Sequence, residues 1–170
     1  MGELGWELYV PVEFAATVFD VLHEAGAAFG LRDAGYYAIE GLRIEKGYRA
    51  WGRELTPDDN PMQAGLFWAV KLDKPGGFIG HKALVEIRSK PLTRRLVSLV
   101  LEDCEPLLWG GEAVLRDGRP VGDLTSAAYG HTVGASVGLG YVRREDGQAI
   151  DAAWLEAGRF EVDLAGTRLK

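Results

Sequence analysis

The sequence predicts an α+β half over residues 1–90, followed by an all-β half over residues 91–170. Two observations separate these halves. Apolar residues recur mostly at helical spacing in the first half, whereas the segments from Leu92 onward are short, strand-like and separated by turn residues. The 170 residues are 47% hydrophobic and carry a formal net charge of −6, which is typical of a folded domain and argues against a nucleic-acid surface.

The first half begins with a predicted strand and two helices. Residues 5–10 alternate apolar and polar side chains, as in a half-buried strand. Pro11 suits the first turn of a helix, and helical spacing continues from there to Gly26. A second helix is predicted over residues 34–46, with Asp33 as its cap.

The rest of the first half is predicted to alternate between loop and regular structure. Residues 48–64 contain two prolines and several acids, which indicates a surface loop. The apolar run from Phe67 to Leu72 predicts a buried strand, and residues 80–89 predict a short helix.

The second half is predicted to be a small antiparallel barrel or sandwich. The tetrapeptide from Arg116 to Arg119 contains Asp-Gly, which favours a hairpin turn because glycine accepts positive φ. The predicted strands are 92–101, 112–116, 119–125, 137–143 and 159–164.

Several catalytic and metal-binding patterns are excluded. Gly134–Gly138 matches G-x-S-x-G, but no histidine follows Ser136 and no helix is predicted after it, so Ser136 is interpreted as a turn serine. Cys104 is the only cysteine, which excludes an internal disulfide. The three histidines lie on different elements without ligand spacing, so no metal site is predicted.

Four basic residues gather around the end of the second predicted helix: Arg43, Lys46, Arg49 and Arg53. Cations near a helix C-terminus interact favourably with the helix dipole. The same residues could instead form an anion site. Spacing alone favours the helix-end interpretation.

Six stretches, taken in order, resemble one protein family. They are Gly2–Tyr9 (GELGWELY), Leu42–Gly52 (LRIEKGYRAWG), Asn60–Leu66 (NPMQAGL), Phe78–Leu84 (FIGHKAL), Gly122–Tyr129 (GDLTSAAY) and Gly140–Val142 (GYV). The chain resembles the C-terminal half of the glycine cleavage T-protein (aminomethyltransferase) family. It is most similar to the folate-binding C-terminal region of dimethylglycine and sarcosine dehydrogenases.

The resemblance implies a fold and a division into domains. Residues 1–90 would be the C-terminal part of a central, ferredoxin-like α+β folate-binding domain, and residues 91–170 a C-terminal antiparallel β-barrel. The T-protein branch has an Arg-Asp pair where this chain reads Ile39-Glu40, which favours the dehydrogenase branch. Met1 stands inside the first motif, so we expect a cut piece of a three-domain cloverleaf.

The resemblance also implies a ligand and its contacts. The ligand would be tetrahydrofolate, with Glu7 holding the pterin, Leu8 and Tyr9 lining the same wall, and Trp68 stacking on a ring. A carboxylate can accept two N–H bonds from an amino-pyrimidinone edge. Glu7 is alternatively an outward residue on a strand, and Trp68 a core tryptophan. The family's catalytic aspartate would lie in the absent N-terminal half, as would any FAD site.

The expected function is that of a C-terminal segment from a flavin-dependent demethylase of dimethylglycine or sarcosine, which passes a one-carbon unit to tetrahydrofolate. Two alternatives remain open: a stand-alone aminomethyltransferase, and a non-catalytic folate-binding regulatory or assembly protein. The segment alone is expected to be inactive and to bind folate weakly or not at all. Its expected partners are folate, the missing N-terminal half and a second copy through an open domain edge, with no nucleic acid or membrane. The expected location is the cytoplasm.

Overall fold

A computed structural model describes residues 4–170, so the Gly2-Glu3 start of the first motif lies outside the described residues. The chain divides into two compact units, one ending at Ile39 and one running from Glu40 to Lys170. The predicted domain boundary at residue 90 concerns family domains rather than compact units, and it stays a prediction.

The first unit is helical. A 3-10 turn at Val12–Phe14 leads into helix α1 (Ala15–Gly26), and a second 3-10 turn follows at Ala27–Phe29. Helix α2 (Tyr36–Glu45) begins near the end of this unit. Both predicted helices are therefore present. None of the described residues in this unit is buried, and most of its large apolar side chains are exposed.

The predicted strand over residues 5–10 is wrong. Residues 5–10 have no regular secondary structure, and Trp6 is 86% exposed. An alternating segment forms a strand only when a neighbour accepts and donates its backbone hydrogen bonds. Within the described part of the chain, no strand pairs with this segment.

The second unit is built on a six-stranded antiparallel sheet. Its strands are β1 (Arg94–Val100), β2 (Ala113–Arg116), β3 (Arg119–Gly130), β4 (Ala135–Arg143), β5 (Phe160–Leu164) and β6 (Thr167–Leu169). The spatial order is β1-β4-β3-β2-β5-β6. The backbone N–H of Glu102 donates to the Lys170 carbonyl at 2.8 Å, which joins the chain after β1 to the chain after β6. The sheet thus curls toward closure.

Two apolar clusters lie on opposite faces of the sheet. The first includes Val114, Leu124, Val142 and Ile150, and the second packs Ile44 of helix α2 against strands β1 and β4. Eight of the nine residues of β4 are buried because both of its faces are covered. Alternation along a strand sends neighbouring side chains to different cores.

The predicted strands of the second half are all present, as β1 to β5. Asp117 and Gly118 have φ of 52° and 77°, which confirms the hairpin turn between β2 and β3. The sequence did not predict helix α4 (Ala152–Ala157) or strand β6. A Cβ on Gly122 would lie 1.8 Å from the Tyr141 carbonyl oxygen, so only glycine permits the close approach of β3 and β4.

The predicted short helix is present as α3 (His81–Arg88), but the predicted strand from Phe67 to Leu72 is wrong. Residues Phe67–Ala69 form a 3-10 turn instead. A short apolar run does not by itself distinguish strand from helix. Here the backbone turns at Gly65, whose φ is +67°, immediately before the run.

Candidate functional site

The predicted pterin-binding residues lie in the irregular segment of the first unit. Glu7 and Tyr9 are exposed, and Leu8 is 61% exposed. The Tyr9 hydroxyl donates to one carboxylate oxygen of Glu7 at 2.8 Å. Glu7 and Tyr9 are therefore brought together, and the second oxygen of Glu7 keeps its full capacity to accept hydrogen bonds.

Trp68 lies in the second unit, on the rim of a cavity. Its side chain is 84% exposed, so the interpretation as a core tryptophan is wrong. The cavity has a volume of about 320 Å³. Its lining residues are Lys46, Tyr48, Arg49, Leu55, Leu66 and Trp68. Two aromatic rings, two cations and two leucines thus surround one recess, a combination that suits a flat organic anion.

The position of Arg49 is fixed by backbone carbonyls. Its Nε donates to the Ala64 carbonyl at 2.9 Å, and one terminal nitrogen donates to the Gly47 carbonyl at 2.6 Å. These bonds tie the loop after α2 to the turn that precedes Trp68. Gly65 has φ of +67°, a conformation that favours glycine, and a Cβ there would lie 2.8 Å from the other terminal nitrogen of Arg49.

A buried ion pair underlies this loop, and sequence reasoning missed it. Arg43 is 5% exposed and Glu54 is 0% exposed, with a distance of 2.9 Å between their charged atoms. Arg43 also donates two hydrogen bonds to Glu40, at 2.9 and 2.7 Å. The helix-end interpretation of the basic cluster does not describe Arg43. Arg53, by contrast, is an exposed cation 3.6 Å from Glu40.

The sequence did contain one signal for this pair. Glu54 follows Arg43 by eleven residues and lies just beyond the second motif, which ends at Gly52. A carboxylate that becomes buried requires a charged or donating partner. Which partner it takes depends on the fold of the loop, and spacing does not reveal that.

The second unit surrounds the Glu54 carboxylate with donors. Burial by itself raises the pKa of this carboxyl, but hydrogen bonds from Ser126, the Ala50 backbone and Thr125, together with the charge of Arg43, hold the pKa below its ordinary value. The carboxylate is therefore ionised at neutral pH.

The Thr-Ser motif of β3 contacts both members of the ion pair. Thr125 Oγ1 donates to Glu54 at 2.8 Å, and Arg43 donates to Ser126 Oγ at 2.8 Å. The pairing between β3 and β4 shifts between Leu124 and Ser126, as in a β-bulge. Bulges redirect side chains at functional positions.

A second polar cluster fixes the Asn-Pro motif. Asn60 Oδ1 accepts the backbone N–H groups of Met62 and Gln63, each at 3.0 Å. Asp59 pairs with Arg94, whose guanidinium lies 3.6 Å from the centre of the Tyr141 ring. Burial, together with the charge of Asp59, raises the pKa of Tyr141 to about 12. This tyrosine stays protonated and donates to the Glu54 carbonyl at 2.9 Å.

The remaining candidates have structural contacts. Ser136 is buried in β4 rather than in a turn, and its hydroxyl donates to the Pro106 carbonyl at 2.6 Å. His23 lies 2.9 Å from Asp33, and His81 contacts the Leu72 carbonyl at 2.8 Å. Between residues 4 and 170 there is no group of three or more His, Cys, Asp or Glu side chains that could hold a metal.

Among the described residues, no helix has both the length and the apolar character needed to cross a membrane.

Two family models match the chain. Residues 1–74 match the GCVT N-terminal domain, and residues 94–170 match the glycine cleavage T-protein C-terminal barrel domain. The second match identifies the six-stranded sheet as the barrel domain of that family.

Curated relatives match nearly the whole chain. A 4-methylaminobutanoate oxidase (formaldehyde-forming) of Paenarthrobacter nicotinovorans is 45% identical over 98% of this chain and 19% of its own length. The mitochondrial sarcosine dehydrogenase of Homo sapiens is 39% identical over 98% of this chain and 18% of its own length. The chain thus spans about a fifth of the length of these relatives.

A solved structure shows the same fold. The glycine cleavage system aminomethyltransferase T from Bartonella henselae matches with a TM-score of 0.75 and 27% identity, over 94% of this chain and 42% of that one. This likeness confirms the predicted fold class, with helices followed by an antiparallel barrel. Taken together, the matches show that the chain belongs to the glycine cleavage T-protein (aminomethyltransferase) family.

Proposed function

We propose that this chain is the tetrahydrofolate-binding segment of an aminomethyltransferase-like protein. The observation that carries the proposal is the cavity beside Trp68. Tetrahydrofolate combines flat rings with a carboxylate-bearing tail, and the cavity combines the rings of Trp68 and Tyr48 with the cations Lys46 and Arg49. The indole of Trp68 is exposed and can stack on a ligand ring.

Glu7 is proposed to hold the pterin edge. Its carboxylate is solvent-accessible, and Tyr9 occupies one of its oxygens with a donated hydrogen bond. That bond limits the rotation of the carboxylate, and because each oxygen has two acceptor sites, both oxygens can still accept an N–H group of the ligand. Leu8 adds an apolar surface in the same segment.

The proposed parent activity is flavin-dependent removal of an N-methyl group from an amine of the sarcosine or dimethylglycine type. The names of both relatives refer to the oxidation of N-methylated amino acids, and the chain spans about a fifth of each. In such a protein FAD would accept two electrons from the N-methyl amine, and tetrahydrofolate would take up the oxidised carbon. The part of this chain is to bind the folate, orient its reactive edge and exclude water.

A stand-alone aminomethyltransferase is the second candidate, because the Bartonella aminomethyltransferase T matches 94% of this chain. The two candidates differ in whether the complete polypeptide binds a flavin. Absorbance of the purified full-length product near the flavin bands separates them. The cytoplasmic location and the pairing with a second copy stay predictions.

Calorimetric titration of the chain with tetrahydrofolate tests the proposed ligand. We expect weak binding that Glu7→Gln reduces, because an amide presents one acceptor and a pair of unwanted donors. Glu13→Gln, an exposed substitution in the neighbouring 3-10 turn, serves as the control and should bind like the original chain. Tight binding that Glu7→Gln leaves unchanged would refute the role of Glu7.

A further inference from the structure

The ion pair between Arg43 and Glu54 holds the loop that lines the Trp68 cavity. Arg43 donates to the Tyr48 carbonyl at 3.0 Å, and the Ala50 backbone N–H donates to the Glu54 carboxylate at 2.8 Å. The same two side chains meet each other at 2.9 Å. The backbone on either side of Arg49 is therefore bonded to one buried pair of charges.

The barrel holds that pair in place from the other side. Thr125 donates to the Glu54 carboxylate, and Ser126 accepts a bond from Arg43, each at 2.8 Å. Tyr141 donates to the Glu54 backbone carbonyl at 2.9 Å. The barrel strands therefore fix the pair, and the pair fixes the loop.

We propose that Arg43 and Glu54 are positioning residues for the ligand cavity. Neither residue lines the cavity itself. They place Tyr48 and Arg49, and through Arg49 the turn that carries Trp68, in a geometry ready for a ring and an anion. The inference rests on the proposed function, since it names how the barrel determines affinity at that same cavity.

Stability alone does not account for this arrangement. A buried ion pair is often no more stabilising than well-packed apolar residues of similar volume. The pair makes hydrogen bonds to two backbone groups of one loop, which apolar residues could not make. Supporting contacts of this kind hold binding groups in their productive geometry.

The test compares two variants with a matched control. Glu54→Gln removes the charge that holds the Ala50 N–H, and Thr125→Val removes one donor from the barrel side. Thr132→Val is the control. The Thr132 hydroxyl also donates to a glutamate, but to Glu45 of α2 and not to Glu54. Circular dichroism first confirms that each variant is folded at the assay temperature.

Two readouts are recorded on each variant. One is the affinity for 5-formyltetrahydrofolate, and the other is the amide resonance and hydrogen exchange of Ala50 and Arg49. Glu54→Gln should weaken affinity about tenfold, as loss of a supporting contact commonly does, and should speed exchange at Ala50. Thr125→Val should change both in the same direction by less, and Thr132→Val should change neither.

The outcomes are separable. Folded variants with original affinity and unchanged loop amides would overturn the positioning role. If neither the unaltered chain nor the full-length protein binds folate, the proposed function fails, and the loop amides alone decide whether the pair fixes the loop. If Glu54→Gln does not fold, Thr125→Val carries the comparison with Thr132→Val.

Discussion

Breaking the Arg43–Glu54 pair should destabilise the second unit strongly. The two side chains are 7% and 0% exposed, so water cannot replace the lost partner. Removing Arg43 should cost about 3–5 kcal/mol, because the Glu54 charge remains buried and unpaired, whereas removing Glu54 leaves Arg43 paired with Glu40 and should cost less. That is a large share of the roughly 5–15 kcal/mol that stabilises a typical protein. The melting temperature should fall by about 6–20 °C, at about 2–4 °C per kcal/mol for this size.

The assay is a double-mutant cycle in urea, using Arg43→Met, Glu54→Gln and both together. Arg43→Met should cost several kcal/mol and Glu54→Gln less, because Arg43 keeps Glu40, while the double variant should cost clearly less than the sum. The pair formed by Arg159 and Glu161 is the control. It has a similar distance of 2.9 Å, but Arg159 is 64% exposed, so its coupling should be about 0–1 kcal/mol. Single costs below about 0.5 kcal/mol, or strict additivity, would refute the reasoning.

Three further predictions concern stability. Gly122→Ala should lower the free energy of unfolding by about 3 kcal/mol or more, because its Cβ would lie 1.8 Å from the Tyr141 carbonyl oxygen. Gly35→Ala is the control and should be tolerated, since there is open space around Gly35. Urea unfolding compares the two variants. Asp151→Ala should cost about 1 kcal/mol by removing the N-cap bond to Trp154, and an equal loss in Asp151→Asn would contradict the capping role. The pKa of Glu54 is lower in the folded state than in the unfolded state, so its ionised form stabilises the fold. That stabilisation is complete above the unfolded pKa of about 4.3 and is lost as pH falls through the folded pKa. Glu54→Gln should therefore unfold with a shallower acid dependence below about pH 4, and an unchanged dependence would contradict the assignment.

Local signals in the sequence were sufficient for much of the fold. Helix α1 could be predicted because its apolar spacing and its stop at Gly26 act over short distances. The turn at Asp117 and Gly118 could be predicted because positive φ at two positions demands such residues. The family motifs then predicted the barrel, which the match over residues 94–170 confirms.

The errors came from features that depend on distant neighbours. Residues 5–10 and the run after Gly65 have strand-like patterns, but a strand needs a partner that the pattern does not name. The contact between Arg43 and Ser126 spans 83 residues of sequence, so spacing could not reveal it. Trp68 is the predicted site residue that lies at a cavity, and the same cavity is lined by the loop that Arg43 helps to position.

Indole NMR tests directly whether tetrahydrofolate binds at the Trp68 cavity. The N–H resonances of the five tryptophans are followed during titration with 5-formyltetrahydrofolate, and Trp68→Phe assigns the signal of Trp68. Trp154 packs beside Phe160 in the barrel domain and serves as the internal control. We expect the Trp68 resonance to shift with ligand while that of Trp154 does not. A titration that leaves Trp68 unmoved, or shifts Trp154 alone, would contradict it.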